Sequence, residues 1–230
     1  MLENLKQQVL KANLALVRYG LVTLTWGNVS GIDRKQKLVV IKPSGVEYDQ
    51  LRVKQMAVVD LDGNVIEGDL RPSSDTPTHL ELYKVFPEVN GIAHTHSEYA
   101  TVFAQAGVEI PCLGTTHADH FHGTIPLTRT MTEQEVTGEY EKNTGKVIIE
   151  RMGQLDPLKM PGILVAGHGP FTWGSDALAA VRHSLILERV AALAYKTYML
   201  NPDSDNLPAY LLNKHFSRKS GPAAYYGQED

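Results

Sequence analysis

Cysteine is nearly absent from this 230-residue chain, in which Cys112 stands alone. One thiol cannot close an internal disulfide. That excludes a disulfide-stapled scaffold and points to a reducing compartment. No apolar run approaches the roughly 20 residues needed to span a bilayer. The opening Met-Leu-Glu-Asn-Leu-Lys lacks the charged-then-apolar pattern of a secretory leader. A cytoplasmic chain that makes no use of a membrane is expected. An excess of positive charge is also missing. Lys and Arg number 22 against 26 Asp and Glu, a formal net charge of −4, which argues against nucleic acid as the main partner. Neither a G-x-x-x-x-G-K-[ST] loop nor a G-x-G-x-x-G turn occurs, so the common nucleotide cradles are absent. No internal repeat, low-complexity tract or Ser/Gly/Pro-rich linker divides the chain. Residues 1–230 are therefore read as one domain, long enough for one substantial core.

What is present is ordinary globular material, 43% hydrophobic and 21% charged. Leu2, Leu5, Val9, Ala12, Leu16 and Tyr19 mark one face of a helix that Gly20 should stop. Shorter apolar, β-branched runs follow at Leu21–Trp26, Lys37–Lys42 and Met56–Leu61, and these read as strands. Asp62-Gly63 is a hairpin turn signal. A helix is expected from about Thr76 with Pro77 at its first position. Gly91–Thr95 reads as a strand and Ser97–Ala106 as a helix. Val147–Glu150 and Ile163–Ala166 read as buried strands. Ser175 or Asp176 should cap a long helix to about Met199. The tail from Asn201 shows no core periodicity. The mixture predicts an α/β sandwich with a largely antiparallel sheet.

The chemistry concentrates in histidines. In a strand, residues i and i+2 share a face, so His94-Thr95-His96 can aim two imidazoles at one point, as two ligands of a divalent ion do. The same spacing also suits two histidines that only hydrogen-bond at a strand end. His168 lies between Gly167 and Gly169 after an apolar strand, where the backbone can approach a site closely. Asp75, ahead of a helix start, is a candidate oxygen ligand and equally a turn or helix-start aspartate. Three neutral imidazoles with an oxygen would suit zinc or a similar ion and leave room for substrate.

A second group suits an anion. Lys42-Pro43-Ser44-Gly45 combines a cation, a hydroxyl and a permissive glycine. Ser73-Ser74 precedes a helix N-terminus, and Gly27-Asn28 follows Trp26. Each alone reads as a turn, and together they would make a pocket for one phosphate. A third group, His117, Asp119, His120 and His122, could carry protons, form a rival metal cluster, or be a solvated loop. Cys112 reads as a small buried residue.

Longer motifs then carry a resemblance. Leu21–Ser30 (LVTLTWGNVS), Val40–Val46 (VIKPSGV), Pro72–His79 (PSSDTPTH), His94-Thr95-His96, Gly114–Asp119 (GTTHAD), His168–Gly174 (HGPFTWG), Leu212–His215 (LNKH) and the closing Ala224–Gln228 (AYYGQ) occur in one order along the whole chain. In this the chain resembles the bacterial L-ribulose-5-phosphate 4-epimerases, relatives of the class II sugar-phosphate aldolases. The resemblance implies an α/β/α fold around an antiparallel sheet. It implies a cyclic homotetramer with sites between subunits, the tail 201–230 reaching a neighbour. It implies His94, His96 and His168 as zinc ligands, and Asp75 as a further metal-associated carboxylate. Asn28, Lys42, Ser44, Gly45, Ser73 and Ser74 match phosphate-site positions. Asp119 and a neighbour's Tyr226 match the two acid/base groups, with His215 and Arg218 near the site. The implied activity is epimerisation of a phosphorylated ketopentose, with a class II sugar-phosphate aldolase as the alternative and a non-catalytic metal-binding protein as a third reading. Arabinose or ascorbate breakdown would be the setting. The chain departs from the family pattern at His120-Phe121-His122, where relatives usually carry Tyr-Phe-Tyr, at Ser220, where they carry His, and at Gly167, where Ser is common.

Overall fold

A computed structural model describes residues 2–220 and 224–225. Helix α1 (Glu3–Arg18) follows the expected apolar face and ends as expected, with Gly20 at φ +67° and the Leu21 amide donating to the Leu16 carbonyl. Strands β1 (Asn28–Asp33), β2 (Leu38–Ile41), β3 (Ala57–Asp60) and β4 (Val65–Glu67) come next. The β3–β4 connection turns at Gly63, φ +90°. Then follow α2 (Thr76–Val85), β5 (Gly91–His94) and α3 (Glu98–Ala106), three short or medium helices α4 (Thr115–Ala118), α5 (Glu133–Thr137) and α6 (Tyr140–Met152), the hairpin β6 (Gly162–Val165) and β7 (Gly169–Gly174), and the helices α7 (Ala177–Leu200) and α8 (Ala209–Lys219).

The strands form one seven-stranded sheet in the order β4-β3-β2-β1-β5-β7-β6. Every pairing between these strands is antiparallel. Strand alternation divides the apolar side chains between two layers. Val39, Val59, Ile92 and Trp173 face one core with Leu82, Tyr83, Phe86 and Ile148. Val29, Val40, Val58 and Ala93 face another with Val9, Leu16 and Val181. Helices thus cover both faces of the sheet, the expected α/β/α arrangement. Among the described residues no helix is long and apolar enough to cross a membrane.

Two local expectations need correction. Leu21–Trp26 is a loop, with Leu24 at φ +52° and both Leu24 and Trp26 exposed. It ends at an opening beside the sheet, where Trp26 stands outside the core. Val147–Glu150 lies inside α6. Gly145 there does not break the helix but allows contact, because a Cβ would lie 2.8 Å from Glu81 Cβ and 3.2 Å from the Thr78 carbonyl. The tail contains α8, none of whose residues is buried, so it leaves no core periodicity to read. At α2 the difference is a single position, since Thr76 opens the helix and Pro77 follows.

Candidate metal centre and anion cleft

β5 and the turn between β6 and β7 bring the histidines together. His94 ends β5, where it pairs with Asn28 of β1 and Phe171 of β7. His96 lies just beyond the strand, and His168 sits in the β6–β7 turn beside Gly167 at φ +69°. Gly169 lets the two segments touch, as a Cβ there would stand 2.7 Å from the Thr95 carbonyl. One ligand atom from each of His94, His96 and His168 falls within 4.8 Å of the others. His94 Nδ1 donates to the Pro170 carbonyl at 3.0 Å. That fixes the tautomer and leaves a lone pair on Nε2, which lies 3.1 Å from His96 Nε2. His94 also stacks on Phe171, ring centroids 4.2 Å apart.

Desolvation keeps the trio neutral, which is the metal-binding form. Burial, aided by His96, pushes His94 down to about 3. Burial, with His94 and His96 nearby, pushes His168 to about 4 while Asp75 opposes. His96 is lowered by desolvation against the same opposition from Asp75. His168 Nδ1 is buried with no hydrogen-bond partner among the described residues. Three neutral, converging imidazoles fit a divalent ion.

Asp75 precedes α2 in the same cleft but is not a member of the histidine trio. Its carboxylate accepts from Asn28 Nδ2 at 2.6 Å. The Asn28 amide also donates to Ser73 Oγ at 3.0 Å, so β1 orients the aspartate and the serine together. The same cleft holds Lys42, 2% exposed. No carboxylate pairs with it among the described residues. Its Nζ lies 3.4 Å from the carbonyls of Thr25 and Pro43 and 4.8 Å from the centre of the Tyr48 ring. Burial lowers its pKa. Glu47 opposes this only from a distance; a buried cation with no directly paired carboxylate is costly, and an incoming anion relieves that cost. Backbone bonds from Ser44 to Arg71 and from Ser73 to Lys42 tie the two serine loops together.

The result is one cleft of about 490 Å³ holding Asn28, Lys42, Ser44, Gly45, Ser73, Ser74, Asp75, His94, His96 and His168. All ten belong to the sets picked out in the sequence. The cleft also contains Trp26, Tyr140 and Glu141, which sequence reasoning missed. Tyr140 and Glu141 open α6 within a polar stretch that carries no motif, and Trp26 ends an apolar run that reads as a strand.

Asp119 does not line this cleft. It is buried beneath α8, where Arg218 donates from Nε to Oδ1 at 2.9 Å and from Nη2 to Oδ2 at 2.6 Å. His215 Nδ1 donates to Oδ1 at 3.0 Å, and Lys219 Nζ lies 3.3 Å from Oδ2. Burial alone would raise the carboxyl, but these hydrogen bonds hold it at about 2. The rival cluster dissolves. His117 Nε2 donates to the Gly123 carbonyl at 2.8 Å and His122 Nε2 to Asn213 Oδ1 at 2.9 Å. Cys112 is buried, as expected. Tyr226 lies outside the described residues.

Comparison with known proteins decides the family. Residues 7–195 match the Class II Aldolase and Adducin N-terminal domain. The chain belongs to this family. Class II aldolases use a divalent metal, and the His94, His96 and His168 cluster could hold one. An L-fuculose 1-phosphate aldolase is 26% identical, covering 94% of this chain and 95% of that one with a TM-score of 0.80. YgbL from Klebsiella pneumoniae is 22% identical, with 93% and 99% covered and a TM-score of 0.73. The L-fuculose-1-phosphate aldolase of Thermus thermophilus is 21% identical, with 88% and 98% covered and a TM-score of 0.68. The last two likenesses show the class II aldolase fold.

Proposed function

We propose that this chain is a metal-dependent L-ribulose-5-phosphate 4-epimerase that interconverts its substrate with D-xylulose 5-phosphate. The observation that carries this reading is the single cleft that combines an unpaired, buried lysine and two serine loops with three converging, neutral imidazoles. A phosphate would engage Lys42, Ser44, Gly45, Ser73, Ser74 and Asn28. His94, His96 and His168 would hold the ion, and zinc is the best match to an all-imidazole set. Asp75, aligned by Asn28, would complete the ion's surroundings.

Carbon 4 of the ketopentose phosphate bears no acidic hydrogen. Inversion therefore requires cleavage of the C3–C4 bond, in which the 4-hydroxyl loses its proton and the bonding electrons pass to C3. The fragments are the dihydroxyacetone enediolate and glycolaldehyde phosphate. The bound ion supplies Lewis acidity against the negative charge that develops. The aldehyde turns its other face and the bond re-forms. The two epimers direct the 4-hydroxyl to opposite sides, so two proton-transfer groups are needed. We assign these to Asp119 and Tyr226. Asp119 lies outside its own chain's cleft, which supports sites shared between neighbouring subunits of a cyclic homotetramer.

A sugar-phosphate aldolase is the second reading, favoured by the 26% identity to an L-fuculose 1-phosphate aldolase. Incubation of metal-loaded protein with L-ribulose 5-phosphate separates the two. Formation of D-xylulose 5-phosphate is expected, whereas accumulation of free glycolaldehyde phosphate would select the aldolase.

A further inference from the structure

Trp26 is a large apolar side chain in a place that does not bury it. The residue is 52% exposed, and its ring centre lies 6.2 Å from that of His96 at the mouth of the cleft. A mobile loop with a stray aromatic would need no explanation, but this loop is fixed from several directions. The buried Tyr48 hydroxyl donates to the carbonyls of both Trp26 and Gly27, at 2.8 and 2.9 Å. The Trp26 amide donates back to the Thr23 carbonyl at 3.1 Å, and Lys42 Nζ reaches the Thr25 carbonyl at 3.4 Å. Gly27, at φ +75°, lies so close to β5 that a Cβ would stand 2.8 Å from the His94 carbonyl. The backbone beneath the indole is thus tied both to the cleft's lysine and to its histidine strand. A rigid base carrying an exposed indole is a built wall.

From this we infer that Trp26 is a specificity residue that retains the cleaved aldehyde phosphate. The inference rests on the epimerase reading and deepens it. Both epimerase and aldolase break the C3–C4 bond, and they differ in what happens next. An epimerase must keep the two-carbon aldehyde phosphate long enough to turn and re-add, whereas an aldolase must let it go. An indole that lines the cleft beside His96, on a loop bonded to Lys42, is half-exposed and so available to cover the cleaved fragment. Its ring face is apolar and offers no hydrogen bond, so it covers the carbon chain and hinders escape while leaving the aldehyde free to rotate. No proton or electron passes through it, and its effect falls on the partition between re-addition and release.

Two measurements on the full-length protein test this. The first reads placement without turnover. Trp26 and Trp173 are the two tryptophans of the chain. Titration of the metal-free protein with Co²⁺ should quench the wild-type emission, and Trp26→Phe should lose most of that quenching. Equal quenching in both proteins, or none in either, overturns the inference whatever the reaction. The second reads partition in the metal-loaded protein. With L-ribulose 5-phosphate, the ratio of released glycolaldehyde phosphate to D-xylulose 5-phosphate should rise about tenfold or more in Trp26→Ala, with Trp26→Phe between it and wild type. A variant that is slower at an unchanged ratio overturns the retention role while leaving the epimerase reading intact. If wild type itself releases glycolaldehyde phosphate as its main product, the epimerase reading fails and the retention role with it. The Co²⁺ result then still reports where the indole sits.

Discussion

Arg218 grips Asp119 across 99 positions of sequence, one guanidinium nitrogen to each carboxylate oxygen at 2.9 and 2.6 Å. A bidentate pair of this kind fixes direction as well as charge. Here it docks α8 on the chain and keeps the proposed proton-transfer group ionised.

The linkage has a definite sign. The folded-state pKa of Asp119, about 2, lies below the unfolded value of about 3.9. Its contribution to stability is therefore full above about pH 4 and disappears as pH falls towards 2. Arg218→Met should raise that pKa, move the loss to higher pH, and cost about 1–3 kcal/mol near neutrality. Urea unfolding between pH 2 and 7 checks this. Superimposable stability profiles for variant and wild type would contradict it.

His96→Asn should leave the fold intact, because His96 is exposed and lies beyond the end of β5. It removes one of three converging donors. Metal content after dialysis should drop below about a tenth of wild type, and turnover with it. Elemental analysis on folded protein decides the matter, and full occupancy would remove His96 from the ligand set.

Lys42→Met replaces an unpaired buried cation with an apolar chain of similar length. The Michaelis constant for a phosphorylated substrate should rise roughly 10–100-fold, with a smaller change in the maximal rate. The variant should be no less stable, because desolvation already disfavours the charge. Unchanged kinetics would put the phosphate elsewhere.

Tyr226→Phe should fold and bind metal, yet lose about 10²–10⁴-fold in epimerisation. Mixed with His96→Asn under conditions of proven subunit exchange, it should regain part of the activity. Some sites would then join an intact histidine trio to an intact tyrosine from the neighbour. Hybrids without activity would confine the tyrosine to its own chain or to no role.

Much of the site was legible because its residues sit where backbone geometry is simple. His94 ends β5 and His96 follows two residues on, so the i, i+2 spacing still brings the two rings together. Lys42, Ser44 and Ser73 lie in short turns next to readable strands. Other features were hidden for physical reasons. The Val147–Ile149 run is too short for periodicity to tell strand from helix, and Gly145 mimics a breaker while serving close helix packing. α8 buries nothing, and its attachment through the Asp119 cluster joins residues nearly a hundred positions apart. The role of Trp26 was masked because an apolar loop at a cleft mouth and a buried strand have the same composition. The site of Asp119, away from its own chain's cleft, follows from tertiary packing alone.

Breaking and re-forming the C3–C4 bond is the central step, and one experiment addresses it directly. L-ribulose 5-phosphate is incubated with the metal-loaded protein in D₂O, and the product is read by NMR. D-xylulose 5-phosphate should appear with protium retained at C4, because that hydrogen travels with the aldehyde and never leaves its carbon. Absence of the epimer, or deuterium at C4, would contradict the proposed reaction.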